Sequence, residues 1–131
     1  FAAQGAAAQR VAMQWSVRIN EAYQRLKDPL KRAAYWCELK GAPIQAHSNT
    51  AMPAAFLMQQ MEWREALDEA DGPDAIEALL DQTQAARRVM LDQLGRTIDE
   101  QHDPAAAAQQ VRALMFVERF ADELHGRLDR P

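Results

Sequence analysis

The stretch ADGPD at residues 70–74 stands between two long helical patterns and decides how the second half of the chain is arranged. Glycine followed by proline ends one helix and lets the next begin, with the proline in its first turn. HDP at residues 102–104 repeats this kind of interruption. Connections this short place consecutive helices antiparallel. The sequence therefore predicts a three-helix bundle with helices over residues 53–70, 73–101 and 104–127.

Two more helical patterns precede the bundle. Residues 6–27 carry apolar side chains at helical spacing, and a second helix over residues 29–41 begins after Asp28, which is suited to cap it. Residues 42–52 have no helical period and are rich in turn-forming residues, as expected of an ordered linker. No segment alternates as a strand does. We predict an all-α chain divided into residues 1–41, a linker over 42–52 and a bundle over 53–131.

The composition narrows the function classes. The chain has 131 residues and a net charge of −4, with basic and acidic residues interspersed, so a nucleic-acid partner is not expected. No apolar run is long enough for a transmembrane span, so a membrane partner is not expected either. A single cysteine, Cys37, indicates a reducing compartment. We predict a cytoplasmic protein, or one of the mitochondrial matrix if the source is eukaryotic.

The residue types that carry catalysis do not occur in productive patterns. Cys37 and the three histidines, His47, His102 and His125, lack the spacing of metal ligands. The glutamates of residues 53–70 lack the Glu-x-x-His partner of a di-iron bundle. Neither a glycine-rich phosphate loop nor a nucleophile elbow is present. The prediction is a protein with no catalytic residue, no metal and no cofactor, which is not an enzyme.

The first bundle helix has more apolar residues than one buried stripe can hold. Phe56, Trp63, Leu67 and Ala70 align on one side, as expected for a helix in a small bundle. A second apolar group points about 100° to 200° away from that stripe. Acidic residues border this second group, which is the make-up of a binding patch, although single exposed apolar residues are also common. The second group is Leu57, Met58 and Met61, and its acidic neighbours are Glu62, Glu65 and Glu69.

The other two bundle helices differ from each other. Apolar residues of the middle helix fall within one arc, which predicts a core element with no apolar side chain to spare. In the last helix Phe116 lies almost opposite the apolar stripe, so we expect a lone exposed phenylalanine there. It extends the patch of the first helix if the two helices are neighbours. The stripe consists of Val111, Leu114, Val117, Ala121, Leu124 and Leu128.

Three stretches carry a family resemblance. Residues 19–35, INEAYQRLKDPLKRAAY, resemble the third and fourth helices of a J domain. Residues 55–69, AFLMQQMEWREALDE, and residues 111–117, VRALMFV, are similar to the first and last bundle helices of the HscB family of J-type co-chaperones. Together the resemblance extends over essentially the whole chain, so its first two helices are expected to be a J-domain remnant.

This resemblance implies a function and a site. HscB-type proteins bind an iron–sulfur scaffold protein, IscU-like, and deliver it to a DnaK-type chaperone, HscA-like, whose ATPase they stimulate. The alternatives are a J-type co-chaperone with another client and a self-associating structural module. The scaffold-binding residues implied by the resemblance are Leu57, Met58, Met61, Glu62, Glu65, Glu69 and Phe116.

One family feature is missing. A J domain acts on its chaperone through a His-Pro-Asp loop, and this chain contains none, so we expect the loop and two helices upstream of Phe1. Contact with the chaperone is then made by that missing portion. Without those helices, the apolar stripe of Val11, Trp15 and Ile19 is predicted either to be exposed or to be buried against a second copy in a homodimer.

Overall fold

The computed structural model describes residues 2–130, with the backbone alone for residues 2–4, 22 and 24–26. Throughout this range the chain is helical, with connecting loops and no β-strand, which confirms the predicted all-α class. Apart from the end of the fourth helix, each helix begins and ends close to the residues predicted. The helices are α1 (Ala2–Lys27), α2 (Pro29–Leu39), α3 (Ala54–Glu69), α4 (Pro73–Arg96) and α5 (Pro104–Leu128).

Aspartate caps start two of the helices. The Asp28 carboxylate accepts hydrogen bonds from the backbone N–H groups of Leu30 at 2.9 Å and Lys31 at 3.2 Å. Asp103 accepts one from the N–H of Ala106 at 3.1 Å. Both aspartates are followed by a proline in the first helical turn, where its missing N–H costs nothing. The cap predicted for Asp28 is therefore confirmed, and Asp103 caps α5 in the same way.

The end of α4 differs from the prediction of one regular helix over residues 73–101. The α-helix stops at Arg96, and Thr97–Gln101 form a wider π-helical turn. At this point the Thr97 hydroxyl donates to the carbonyl of Gln93 at 3.0 Å, a side-chain bond that competes with the regular backbone ladder. His102 then takes a left-handed conformation, with φ of 49°, and the chain reverses into α5.

Helix α5 lies at the centre of the molecule. One core contains Leu30, Cys37 and Ile44 from α2 and the linker, packed on Val111 and Leu114. A second core joins α3 and α4 to other residues of α5. The predicted stripe of α5 is buried except for the partly buried Leu128, but burial extends well beyond it, because two groups of elements pack on this helix. Residues of α5 in the second core are Ala113, Val117, Phe120 and Leu124.

A buried arginine ties the linker to α5. The Arg112 side chain donates hydrogen bonds to the carbonyl oxygens of Ile44 at 2.9 Å, Ala51 at 3.0 Å and Pro43 at 3.4 Å. Arg112 is only 6% exposed, so these oxygens replace its hydration. The division at residues 42–52 stays a prediction, but the linker is ordered by its own core residue, Ile44, and by this arginine.

The apolar stripe of α1 faces outward. Val11, Trp15 and Ile19 are exposed, as are Met13 and Val17 on other sides of the helix. Of the two expectations for this stripe, exposure is therefore the one found in the single chain. Burial against a second copy stays a prediction.

We predict that Arg112→Ala lowers the free energy of unfolding by about 3 kcal/mol, because three carbonyl oxygens lose a charged donor in a buried site. Urea denaturation followed by circular dichroism measures the change. Arg88→Ala, at an exposed position of α4, is the matched control and should change the free energy by less than about 0.5 kcal/mol. Equal stability of the two variants would contradict the assigned role of Arg112.

Candidate functional site

The outer face of α3 consists of Leu57, Met58, Met61, Glu62, Glu65 and Glu69, and all six residues are exposed. Its apolar members are large: Leu57 is 60% exposed, Met58 67% and Met61 65%. The opposite side of the same helix buries Phe56, Trp63 and Leu67 in the second core. The helical spacing therefore predicted correctly that Phe56, Trp63 and Leu67 are buried and that the outer face is exposed. Ala70, also predicted for the buried stripe, follows the end of α3 and is only partly buried.

Charge surrounds the apolar centre of this face. Glu62, Glu65 and Glu69 follow Met58 and Met61 at spacings that keep them on the same side of the helix. Such a face suits a protein surface with apolar side chains at its centre and basic side chains at its edge. It carries no arrangement for covalent chemistry. A role for these residues in binding stays a prediction.

Phe116 differs from its expected environment. It is partly buried, and the expectation of a lone exposed phenylalanine is wrong. Its ring meets Phe56 edge to face at 5.8 Å and stacks on Phe120 at 5.9 Å between centroids. Trp63 stacks on the same Phe120 ring at 5.7 Å. The reason is that α3 covers this side of α5, so four rings form an aromatic cluster of Phe56, Trp63, Phe116 and Phe120.

This aromatic cluster shows that α3 and α5 are neighbours. Phe56 and Trp63 come from α3, while Phe116 and Phe120 come from α5. Stacked and edge-to-face pairs contribute about 0.5–1.5 kcal/mol each beyond the burial of their area. The cluster therefore fixes α3 against α5 and places Phe116 against Phe56, on the buried side of α3.

Arg64 is a component of the site that the sequence analysis missed. Its guanidinium carbon lies 5.7 Å from the centroid of the Phe116 ring and 5.2 Å from that of Phe120. Its Nη1 donates to Glu123 Oε2 at 2.7 Å. One signal was available, because Arg64 follows Leu57 by seven residues and Met61 by three and so lies on the same side of α3. Its partners on α5 had no sequence signal.

A groove of about 430 Å³ lies between α3, α4 and α5, away from the outer face of α3. Phe56, Met90 and Ala113 form part of its wall, and Val89 stands exposed at its edge. The prediction that α4 has no apolar side chain to spare is therefore wrong at Val89. Its lining contains glutamines but no titratable side chain, so it has no acid–base chemistry.

The candidate metal ligands are far from forming a site. Cys37 is fully buried in the first core, and His47, His102 and His125 are exposed. Across residues 2–130, no group of three or more histidine, cysteine or acidic side chains is placed to hold a metal ion. Nor does any helix in this range combine the length and apolar character needed to cross a bilayer.

Known proteins resemble this chain along nearly its full length. Residues 52–125 match the family described as the HscB C-terminal oligomerisation domain. A "Co-chaperone protein HscB homolog" of Bordetella petrii is 56% identical over 125 residues, covering 95% of this chain and 74% of the relative. Homologs of the same name from Burkholderia cenocepacia and Burkholderia mallei are 50% and 51% identical over 133 residues, covering 99% of this chain and 75% of each relative. The resemblance seen in the sequence is confirmed.

Burial raises the pKa of the Cys37 thiol, an effect that the nearby Arg112 charge opposes. Because the thiolate is the reactive form, a raised pKa and a closed core both slow its chemistry. We predict that a disulfide reagent at pH 8 reacts with the native chain at least ~100-fold more slowly than with the urea-unfolded chain. The assay is unambiguous, because Cys37 is the only cysteine. Equal rates would mean that this core is open.

Proposed function

Because the chain belongs to the HscB co-chaperone family, we propose that it is an adaptor of iron–sulfur cluster assembly that binds an IscU-like scaffold protein. The observation that carries this proposal is the outer face of α3, where Leu57, Met58 and Met61 are each at least 60% exposed within an acidic border. A contiguous exposed apolar group with a polar rim is typical of a protein-binding surface. The family supplies the identity of the bound protein.

The packing beneath this face supports the same function. Phe56, Trp63 and Leu67 hold the other side of α3 in the second core, so the exposed side chains project from a fixed helix. A partner then meets a preformed surface, and less binding free energy is lost in ordering it. Methionine side chains at positions 58 and 61 adapt to the shape of the partner within this fixed frame.

The two components of the face have different proposed roles. The apolar centre supplies most of the affinity, since buried apolar anchors dominate protein interfaces. Glu62, Glu65 and Glu69 lie at the rim, where charges mainly accelerate encounter and fix the register of the partner. Phe116 contributes from α5, and its partial burial makes it as much a support of the face as a contact.

The proposed mechanism is effective concentration. While the bundle binds the scaffold protein, a J domain on the same protein binds a DnaK-type, HscA-like chaperone and stimulates its ATPase, so capture of the scaffold becomes nearly intramolecular. In this proposal the chain has no catalytic residue or cofactor of its own, and it works in the cytoplasm. Stimulation of the chaperone belongs to the His-Pro-Asp loop, which is absent from this sequence.

One observation favours a second candidate function, self-association. The exposed stripe of Val11, Trp15 and Ile19 on α1 is a further apolar surface, and it lies far along the sequence from the outer face of α3. If the chain self-associates through this stripe, light scattering detects a dimer whose fraction rises with protein concentration. Trp15→Gln would return such a dimer to the monomer, whereas Leu57→Ala would leave it intact.

We predict that Leu57→Ala and Met61→Ala each weaken binding of an IscU-type scaffold protein by about 2 kcal/mol, or roughly 30-fold in Kd. Each substitution removes an apolar anchor from an exposed position and so leaves the fold intact. Isothermal titration calorimetry measures the affinity, and circular dichroism verifies folding.

Val89→Ala is the matched control, since Val89 is an exposed apolar residue on α4 outside the proposed site. Its affinity should equal that of the unsubstituted chain. The proposal fails if the unsubstituted chain does not bind the scaffold protein, or if both Leu57→Ala and Met61→Ala bind it with undiminished affinity.

A further inference from the structure

We propose that Arg64, seated on Phe116 and Phe120 and held by Glu123, is a subsite that binds a carboxylate of the partner protein. This inference rests on the proposed function and deepens it, since it adds a cationic contact to a surface whose other charges are acidic. The binding residues implied by the family resemblance do not include Arg64, which is identified from its contacts alone.

The Arg64 guanidinium lies against two rings and one carboxylate, and part of the side chain is open to solvent. Its carbon lies 5.7 Å and 5.2 Å from the two stacked phenylalanine rings, within range of a cation–π interaction. Half of the Arg64 side chain remains exposed. A guanidinium has five N–H donors and no acceptor, so Arg64, which uses one donor on Glu123, has further donors for a ligand.

Arg64, Glu123 and Arg127 form a small group in which positive charges outnumber negative ones. Glu123 lies 2.7 Å from Arg64 and 4.0 Å from Arg127, so one carboxylate is shared between two arginines. The three side chains together carry a net charge of +1. A second carboxylate is therefore attracted to this end of the face, whereas a lysine or arginine of the partner is repelled.

Arg64 lies on the same side of α3 as the apolar residues proposed to contact the partner. Arg64 lies on the side of α3 that carries Leu57 and Met61, seven and three residues before it. It is the one basic residue of α3, against four acidic residues, Glu62, Glu65, Asp68 and Glu69. A partner whose basic side chains contact the glutamates and whose one carboxylate contacts Arg64 can bind α3 in only one alignment.

The arrangement also gives Phe116 a defined part in binding. Arg64 lies over its ring, so Phe116 is a positioning residue that fixes the guanidinium, together with Phe120 and Glu123. If Phe116 acts through Arg64, substitutions at the two positions are not additive, because the second removes an interaction that the first has already lost.

The test is titration of an IscU-type scaffold protein into the full chain carrying Arg64→Met. This substitution keeps an unbranched apolar stem over the rings and removes the charge. We expect affinity to fall about three- to tenfold, as for a charge-assisted contact at a partly exposed site, and its dependence on salt to become shallower. Arg88→Met, which removes a charge from an exposed position of α4, is the control and should leave both quantities unchanged.

Two further variants separate binding from folding. Phe116→Leu should weaken binding, and adding Arg64→Met to it should weaken binding no further. Arg64→Lys keeps the charge without the planar guanidinium, so its affinity for the scaffold protein should lie between those of Arg64→Met and the unsubstituted chain. Thermal melts identify any variant that is unfolded. If Arg64→Met is unfolded, the salt dependence of binding by Arg64→Lys tests the carboxylate subsite instead.

Unchanged or tighter binding by Arg64→Met overturns the carboxylate subsite. If Leu57→Ala still weakens binding in that case, the proposed function stands and the inference alone is wrong. If the unsubstituted chain fails to bind the scaffold protein, both are wrong. Fully additive losses in Arg64→Met and Phe116→Leu reject the positioning role of Phe116.

Discussion

Burial of α5 on two sides is the constraint on which the remaining structure depends. A helix in a plain three-helix bundle shows one apolar stripe, but α5 is covered by α3 and α4 in one core and by α2, the linker and Leu94 of α4 in the other. Small residues, Ala107 and Ala108, let the second group approach closely. Because both cores share one helix, α2 and the linker cannot shift without disturbing the helix that supports α3.

That constraint explains why apolar side chains on the outer face of α3 remain exposed to water. Trp63 and Leu67 occupy the core side of the helix, and the aromatic cluster locks its rotation against α5. Turning α3 to bury Leu57 and Met61 would expose Trp63 and break its ring contact with Phe120, and such contacts contribute about 0.5–1.5 kcal/mol each beyond the burial of their area. The packing of the inner side thus keeps the outer side exposed to solvent.

The sequence predicted the parts of this arrangement that depend on local order. Except for the end of α4, the helix ends followed from proline, glycine and the Asp28 cap, and the two sides of α3 followed from its 3.6-residue period. The prediction failed for Phe116 because it assumed a single buried stripe on α5. Arg112 and Arg64 were missed for a related reason: their partners, the 43–51 carbonyl groups and Glu123, lie far away in sequence, and periodicity carries no information about contacts of that kind.

The two exposed apolar surfaces of the chain differ in the charge that surrounds them. Three glutamates border the outer face of α3, whereas the stripe on α1 has Arg10 and Arg18 beside it, with the Arg18 guanidinium carbon 6.0 Å from the Trp15 ring. A protein surface that complements one border is repelled by the other. The difference in charge therefore makes the two surfaces unsuited to the same partner.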